Sequence, residues 1–329
     1  MSFEDLAVYR STAEIPAEFG PTVVSIGNFD GVHLGHRAIL ADALAEARAV
    51  DAKAVALTFD PHPEQFLRPG KAPLLLTPMG ERVRLLASTG IDAVVILPFD
   101  AALAGLPASE FAQQVLRDGL KARSLHEGGN FRFGRRAEAG IAELREFGAE
   151  MGFAVHVHAP VRVRGLAGGL EVSSSAIRER VAAGDLTRAR WMMGRPFTVL
   201  STQARGRGIG HRLLVPTVNL APYEGLLPAF GVYVTRMRID GHTFEAVTNV
   251  GNRPTFGEAS FAVESYILNF EPIEMDETTP IEQEFLFRLR GEMTWPSPEA
   301  LKAQIMKDVA RAKRYFVLRG RRANIPKKD

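Results

Sequence analysis

A change of rhythm near Gly184 constrains this chain more than any other feature. Before it, short apolar or β-branched runs at Thr22–Ile26, Val55–Phe59, Val94–Leu97 and Phe153–His158 alternate with longer stretches of helical periodicity. Strands separated by helix-length segments pair in parallel through crossover helices, so residues 1–188 are expected to form an α/β domain on a parallel sheet. Between the first two strands, Ile39, Leu40, Ala43, Leu44 and Ala47 recur at helical spacing as a buried stripe. After Gly184 the runs Phe197–Ser201, Gly231–Arg238, Thr243–Val250, Val263–Phe270 and Glu284–Arg290 follow one another through turn-rich segments. That pattern predicts a compact antiparallel barrel or sandwich over residues 189–329. A segment opening with Ser297-Pro298-Glu299-Ala300 carries Leu301, Ile305, Val309 and Ala310 at helical spacing, and predicts one closing helix to about Tyr315. The boundary is expected between Asp185 and Arg195.

With 329 residues, 46% of them hydrophobic and 24% charged, the chain is long enough for two cores. It has no cysteine, which excludes disulfides, thiolate metal sites and cysteine nucleophiles. The formal charge of +2 gives no reason to expect a nucleic-acid partner. Arg319, Arg321, Arg322, Lys327 and Lys328 form a basic end that is expected to be solvated and frayed. Glu4, Asp5, Glu14 and Glu18 interrupt the amino-terminal segment, and no stretch reaches membrane-span length. No membrane partner and a cytoplasmic location are therefore expected; the oligomeric state stays open, a weak homo-oligomer included.

The run Gly27-Asn28-Phe29-Asp30-Gly31-Val32-His33-Leu34-Gly35-His36 ends the first strand and opens a helix. Gly27, Gly31 and Gly35 allow close approach of an anion to the backbone and dihedrals that a Cβ would penalise, and the helix start offers unpaired N–H groups. His33 and His36 lie on one face of the first turn and can donate to the same phosphoryl group, although such a pair also serves as a helix cap. The His-x-Gly-His tetrad resembles the signature of the nucleotidyltransferase superfamily. Its wider form resembles the amino-terminal half of the bacterial riboflavin kinase and FMN adenylyltransferase family, or FAD synthetases. The first domain is then expected to be a Rossmann-like nucleotidyltransferase domain and the second a riboflavin kinase barrel.

Further blocks follow in family order: Thr58-Phe59-Asp60-Pro61-His62-Pro63, Gly129-Asn130-Phe131-Arg132-Phe133-Gly134 and Val172-Ser173-Ser174-Ser175-Ala176-Ile177-Arg178. The resemblance implies attack of an FMN phosphate oxygen on the α-phosphorus of ATP, giving FAD and pyrophosphate. It implies ATP contacts at Gly27, Phe29, Gly35, Ser174 and Ser175, charge stabilisation by His33 and His36, and a hold on pyrophosphate by Ser174, Ser175 and Arg178. Flavin or adenine contacts would come from His62, Asn130 and Phe131. Phe59, Phe131 and Phe133 suit a stacking face and core packing equally. Ala176 stands where the family often has arginine, and His126-Glu127 interrupts a usually apolar run. His156 and His158 share a strand face as a metal pair would, but no third ligand is apparent, so a surface or packing role is expected.

In the second half, Gly206-Arg207-Gly208-Ile209-Gly210-His211 reads as a phosphate-covering loop, with ATP contacts at Gly206, Gly208 and Gly210. Pro216-Thr217-Val218-Asn219 resembles the kinase motif whose threonine and asparagine place Mg²⁺ and the ATP phosphates. Alternation puts Thr217 and Asn219 on one strand face, and their oxygens suit a hard cation. Asn249 to Phe256 and Val263 to Phe270 resemble the next two blocks, which puts Glu264 at the catalytic carboxylate and Arg290 at a ligand contact. Leu214-Val215 replaces a usual Gly-Phe, and His211 a usual arginine. A leucine in a left-handed backbone would cost about 1–2 kcal/mol. The expected activity is riboflavin to FMN, then FMN to FAD, with ATP and Mg²⁺. An adenylyltransferase with a degenerate kinase half and a non-catalytic flavin-sensing regulator are the alternatives; His33, His36, Thr217, Asn219 and Glu264 argue against the regulator.

Overall fold

A computed structural model describes residues 6–163, 169–204, 212–213, 217–253 and 260–323. The expectations for Gly206 to His211, for Leu214, Val215 and Pro216, for Pro254 to Phe256, and for Lys327 and Lys328 lie outside the described residues. The chain divides into two compact units, Met1–Ser174 and Ser175–Asp329.

The first unit is built on strands β1 (Ala7–Tyr9), β2 (Thr22–Ile26), β3 (Lys53–Asp60), β4 (Ala93–Pro98), β5 (Ala122–Gly128) and β6 (Ala154–His158). They form a six-stranded sheet in the order β1-β4-β3-β2-β5-β6, with every neighbouring pair parallel. Both faces are covered, as a parallel sheet requires. Val23, Ala54, Ala56, Val94 and Ile96 point to one face and pack with Leu40, Ala43 and Ala47 of α1 (Leu34–Ala49) and Leu86 of α3 (Met79–Ala87). Val24, Val55, Leu57, Val95 and Leu125 point to the other, against Phe111 of α5 (Ala108–Phe111), its π-helical continuation Ala112–Gly119, and Leu144 of α6 (Ile141–Met151). Short helices α2 (Pro63–Leu67) and α4 (Ala101–Gly105) and the two-residue strands β7 (Arg162–Val163) and β8 (Leu170–Glu171) complete it. The expected helical stripe holds except at Ile39, which faces a cavity instead of the core. Besides β7 and β8, two strands of the six-stranded sheet have no clear signal in the sequence: β1, which is short, and β5, which contains the buried polar pair His126-Glu127.

The second unit carries α7 (Ser174–Ala182, which Ser174 of the first unit begins), α8 (Leu186–Met193), β9 (Phe197–Ser201), β10 (Arg212–Leu213), β11 (Thr217–Asn219), β12 (Gly231–Ile239), β13 (His242–Arg253), β14 (Ser260–Ile267), β15 (Ile273–Glu274), β16 (Ile281–Gly291) and α9 (Pro298–Ala323). Its main sheet is antiparallel, in the order β11-β14-β13-β12-β16-β9. The two edges meet: Gln203 bridges Leu220, and Ala204 N–H donates to the Asn219 carbonyl at 2.8 Å. This protects both edge strands. Inside, Thr235, Thr248, Ser265 and Gln283 are fully buried and bond one another at 2.6 to 3.1 Å. Outside, α9 lays Ala312 and Phe316 on Val232, Val234, Val247, Leu286 and Leu289. The closing helix runs past Tyr315 to Ala323: Arg319, expected to fray, lies in it, over the Tyr315 ring at 5.6 Å.

Candidate active sites

The strand-to-helix turn of the first unit is fixed by Asp30. Its carboxylate is buried and accepts from Leu76 N–H at 3.0 Å, Thr77 N–H at 2.9 Å and the Thr77 hydroxyl at 3.2 Å, while its carbonyl accepts from the Ser174 hydroxyl at 2.8 Å. Held from both sides, the turn takes left-handed dihedrals at Phe29 (φ 47°), Gly31 (φ 84°) and Val32 (φ 35°). Only one of the three glycines expected to need such freedom uses it, and a β-branched residue bears strain beside it. Gly27 and Gly35 serve by lacking a Cβ, which would come within 3.4 Å of the Phe29 ring and 3.1 Å of the His33 ring.

His33 is the N-cap of α1, and its Nδ1 accepts the His36 backbone N–H at 3.2 Å. Capping and ligand placement are thus one device, because the cap fixes the ring. The His33 and His36 rings stack at 3.6 Å, and Phe29 meets His36 edge-on at 5.2 Å. Burial, with His33 and the Arg82 guanidinium nearby, holds His36 well below the ordinary imidazole value, so this ring is neutral. Its Nδ1 is shielded from solvent and has no hydrogen-bond partner among the described residues.

The cavity over this turn has a volume of about 700 Å³ and is lined by Gly27, Phe29, His33, Gly35, His36, Asn130, Phe131 and Ser174 among others. It opens where β2 and β5 diverge at their carboxyl ends, the usual ligand position of a parallel sheet. Glu127, missed in the sequence, spans that gap: its carboxylate accepts Ile26 N–H at 2.6 Å, and burial pushes it well above the usual carboxylate range. His62 does not line the cavity; its Nδ1 caps α2, accepting Glu64 N–H at 3.2 Å. Phe133 is core, Phe131 stacks on it at 5.5 Å while facing the cavity, and Phe59 meets Phe99. Ser175 and Arg178 occupy the first turns of α7.

In the second unit a cavity of about 450 Å³ is lined by Thr217, Asn249, Glu264, Tyr266, Arg290, Trp295, Leu301, Ile305 and Asp308 among others. Strand register assembles it. Glu264 of β14 lies directly between Asn219 of β11 and Asn249 of β13, a spacing that puts neighbouring side chains on one face within reach. Thr217 and Asn219 share a face with Val218 buried on the other, as expected, although Asn219 lies outside the lining. Between β12 and β16 the pairing slips, Val232 with Arg290 but Tyr233 with Arg288. The extra residue sends the two arginines to opposite faces. Arg290 enters the cavity, where Nε donates to buried Asp308 at 2.9 Å and the guanidinium covers the Trp295 ring at 5.4 Å. Asp308, Trp295 and Asn249 carried no single-residue signal in the sequence.

A family model of FAD synthetase matches residues 15–176, and one of riboflavin kinase matches residues 193–316. The bifunctional riboflavin kinase/FMN adenylyltransferase of Pseudomonas fluorescens is 33% identical over 309 residues, 94% of this chain and 97% of that protein. The chain belongs to this family. The proteins of the same description from Escherichia coli K12 and Haemophilus influenzae are 32% and 30% identical, covering 90% and 89% of this chain and 93% and 94% of their own. A solved structure described as a macrolide-efflux protein from Streptococcus pneumoniae superposes with a TM-score of 0.79 at 25% identity, covering 94% of this chain and 99% of that one. Among the described residues no helix is long and apolar enough to cross a membrane. The larger cavity falls within the matched FAD synthetase segment and the smaller within the riboflavin kinase segment.

Proposed function

We propose that the chain phosphorylates riboflavin to FMN in its second unit and adenylylates FMN to FAD in its first, with ATP as donor in both. The observation that carries this reading is the partition of chemistry-bearing residues. His33, His36 and Ser174 line one cavity, and Thr217, Glu264 and Arg290 line the other.

In the first unit the ATP triphosphate lies over the turn from Gly27 to His36, where α1 presents its first N–H groups. An FMN phosphate oxygen bonds to the α-phosphorus, the bond to the bridging oxygen breaks, and pyrophosphate leaves. No proton or covalent intermediate on the protein is required, so the residues work by position and charge. Neutral His36 supplies one N–H donor, His33 is held beside it by its capping bond, and Ser174 contacts the leaving pyrophosphate. Asn130 and Phe131 take the flavin side, Phe131 offering a ring face backed by Phe133.

In the second unit the ribityl 5′-hydroxyl attacks the γ-phosphorus of ATP, its proton passes to the Glu264 carboxylate, and ADP leaves. Met293, Trp295, Leu301 and Ile305 form an apolar wall suited to the flavin ring, with Arg290 at its edge. Thr217, Asn219 and Glu264 offer oxygens only, a donor set that fits Mg²⁺. When bound there, the ion supplies positive charge against the β- and γ-phosphates. Purified protein incubated with riboflavin, ATP and Mg²⁺ is expected to yield FMN and then FAD by chromatography. FAD from added FMN, with no FMN from riboflavin, would reduce the second unit to an appendage.

A further inference from the structure

The histidines on β6, expected to be surface or packing residues for want of a third ligand, do not stand alone. His126 lies beside His156 in the β5–β6 register, and Glu46 of α1 reaches over both. The Glu46 Oε2 atom sits 2.7 Å from His126 Nε2 and 3.2 Å from His156 Nε2. All three ligand atoms lie within 4.8 Å of one another. From this convergence we propose that Glu46, His126 and His156 bind one divalent cation of the zinc class, at a site separate from the two reaction centres.

The geometry suits the ion. Four-coordinate zinc with bonds of about 2.0–2.1 Å spaces its ligand atoms roughly 3.3 Å apart. The Glu46–His156 separation already has that value, and the shorter Glu46–His126 contact opens by about half an ångström when the ion takes the place of the shared proton. Two imidazole nitrogens and one carboxylate oxygen favour zinc over the Mg²⁺ that accompanies ATP, which prefers oxygen ligands alone. His156 is 47% exposed, giving an entry path and an open fourth position for water.

The surrounding residues orient the ligands as metal sites require. The Ser124 hydroxyl donates to Glu46 Oε1 at 2.6 Å, which leaves Oε2 to face both rings. His126 Nδ1 lies 3.0 Å from His158 Nε2, and His158 Nδ1 lies 3.3 Å from Asp42 Oδ2. With the ion on His126 Nε2, one proton assignment satisfies this chain: His126 Nδ1–H donates to His158, and His158 Nδ1–H donates to the Asp42 carboxylate. Both rings are then neutral. The ion ties α1 to β5 and β6, and the relay ends on Asp42 and His158, which line the larger cavity.

Untagged, nucleotide-free full-length protein titrated with Zn²⁺ against a chromophoric chelator tests the site. One equivalent should bind, and His156→Ala, at an exposed edge-strand position, should weaken binding by at least about 100-fold, more than the 10–100-fold typical of a supporting residue. Co²⁺ in place of Zn²⁺ should give the visible absorption of a four-coordinate ion, lost in the near-isosteric Glu46→Gln. Zn²⁺ should raise the melting temperature of the wild type and not of either variant. Equal Zn²⁺ affinity in wild type and His156→Ala, or a Co²⁺ spectrum unchanged by Glu46→Gln, would overturn the proposal.

Discussion

The two units place their candidate reactive groups by opposite means. In the first, a contiguous run of backbone between β2 and α1 carries Phe29, His33 and His36, and buried Asp30 fixes its shape. In the second, Thr217, Asn249, Glu264 and Arg290 come from four different strands, and only sheet register and one pairing slip bring them to one face. The first arrangement sets a neutral His36 against a stacked ring in a buried turn; the second presents an exposed carboxylate on the outer surface of a barrel whose otherwise apolar interior carries a belt of four polar side chains. A site made by a turn depends on local backbone geometry. A site made by register depends on the whole sheet.

Single substitutions separate the two sites. Glu264→Gln keeps the shape and removes the proposed base, so riboflavin phosphorylation should fall by about 10²–10⁴ while FMN adenylylation continues in a steady-state product assay. His36→Ala removes one preorganised donor and should lower FAD formation from FMN by about 10²–10³, with FMN formation from riboflavin nearly unchanged. Loss of both activities in either variant would mean damage to the fold.

Smaller effects sharpen the contrast between the interiors. Thr248→Val leaves Gln283 Nε2 and the Ser265 hydroxyl short of a partner inside the barrel, and should cost about 1–3 kcal/mol in a urea unfolding titration. A cost near zero would show that the belt is not needed for stability. Glu127→Gln keeps the bond from Ile26 N–H. Because burial raises the folded-state value of Glu127 above its ordinary 4.5, the wild-type carboxyl contributes fully below that pH and loses its contribution as pH rises through the raised value. Melting temperatures should therefore favour the glutamine variant increasingly above pH 4.5, with no such trend below it.

The same contrast explains what was legible in the sequence. Short apolar or β-branched runs marked β2, β3, β4, β6, β9, β12, β13, β14 and β16, and helical spacing marked α1, since these segments bury most of their length or one stripe. The strand β5 was hidden because His126 and Glu127 are buried polar residues, each satisfied by a partner far along the chain, Glu46 and Ile26. The turn was readable because its residues are adjacent. His33 and His36 do come together, their rings stacked at 3.6 Å, whereas unusual dihedrals explain only Gly31 and not Gly27 or Gly35. In the barrel, Glu264 and Asn249 stood out only by the motifs they belong to, and Asp308 and Trp295 not at all, because register and the packing of α9 set their neighbours.

If the two consecutive reactions run at separate sites on one chain, as proposed, the two disabled variants should complement each other when mixed. Neither His36→Ala nor Glu264→Gln alone should carry riboflavin through to FAD at the wild-type rate. Combined in one reaction with riboflavin and ATP, the first should make FMN and the second should convert it, so that FAD accumulates well above the level of either variant alone. If each variant retains its single activity and the mixture still makes no additional FAD, the account of two independent sites is contradicted.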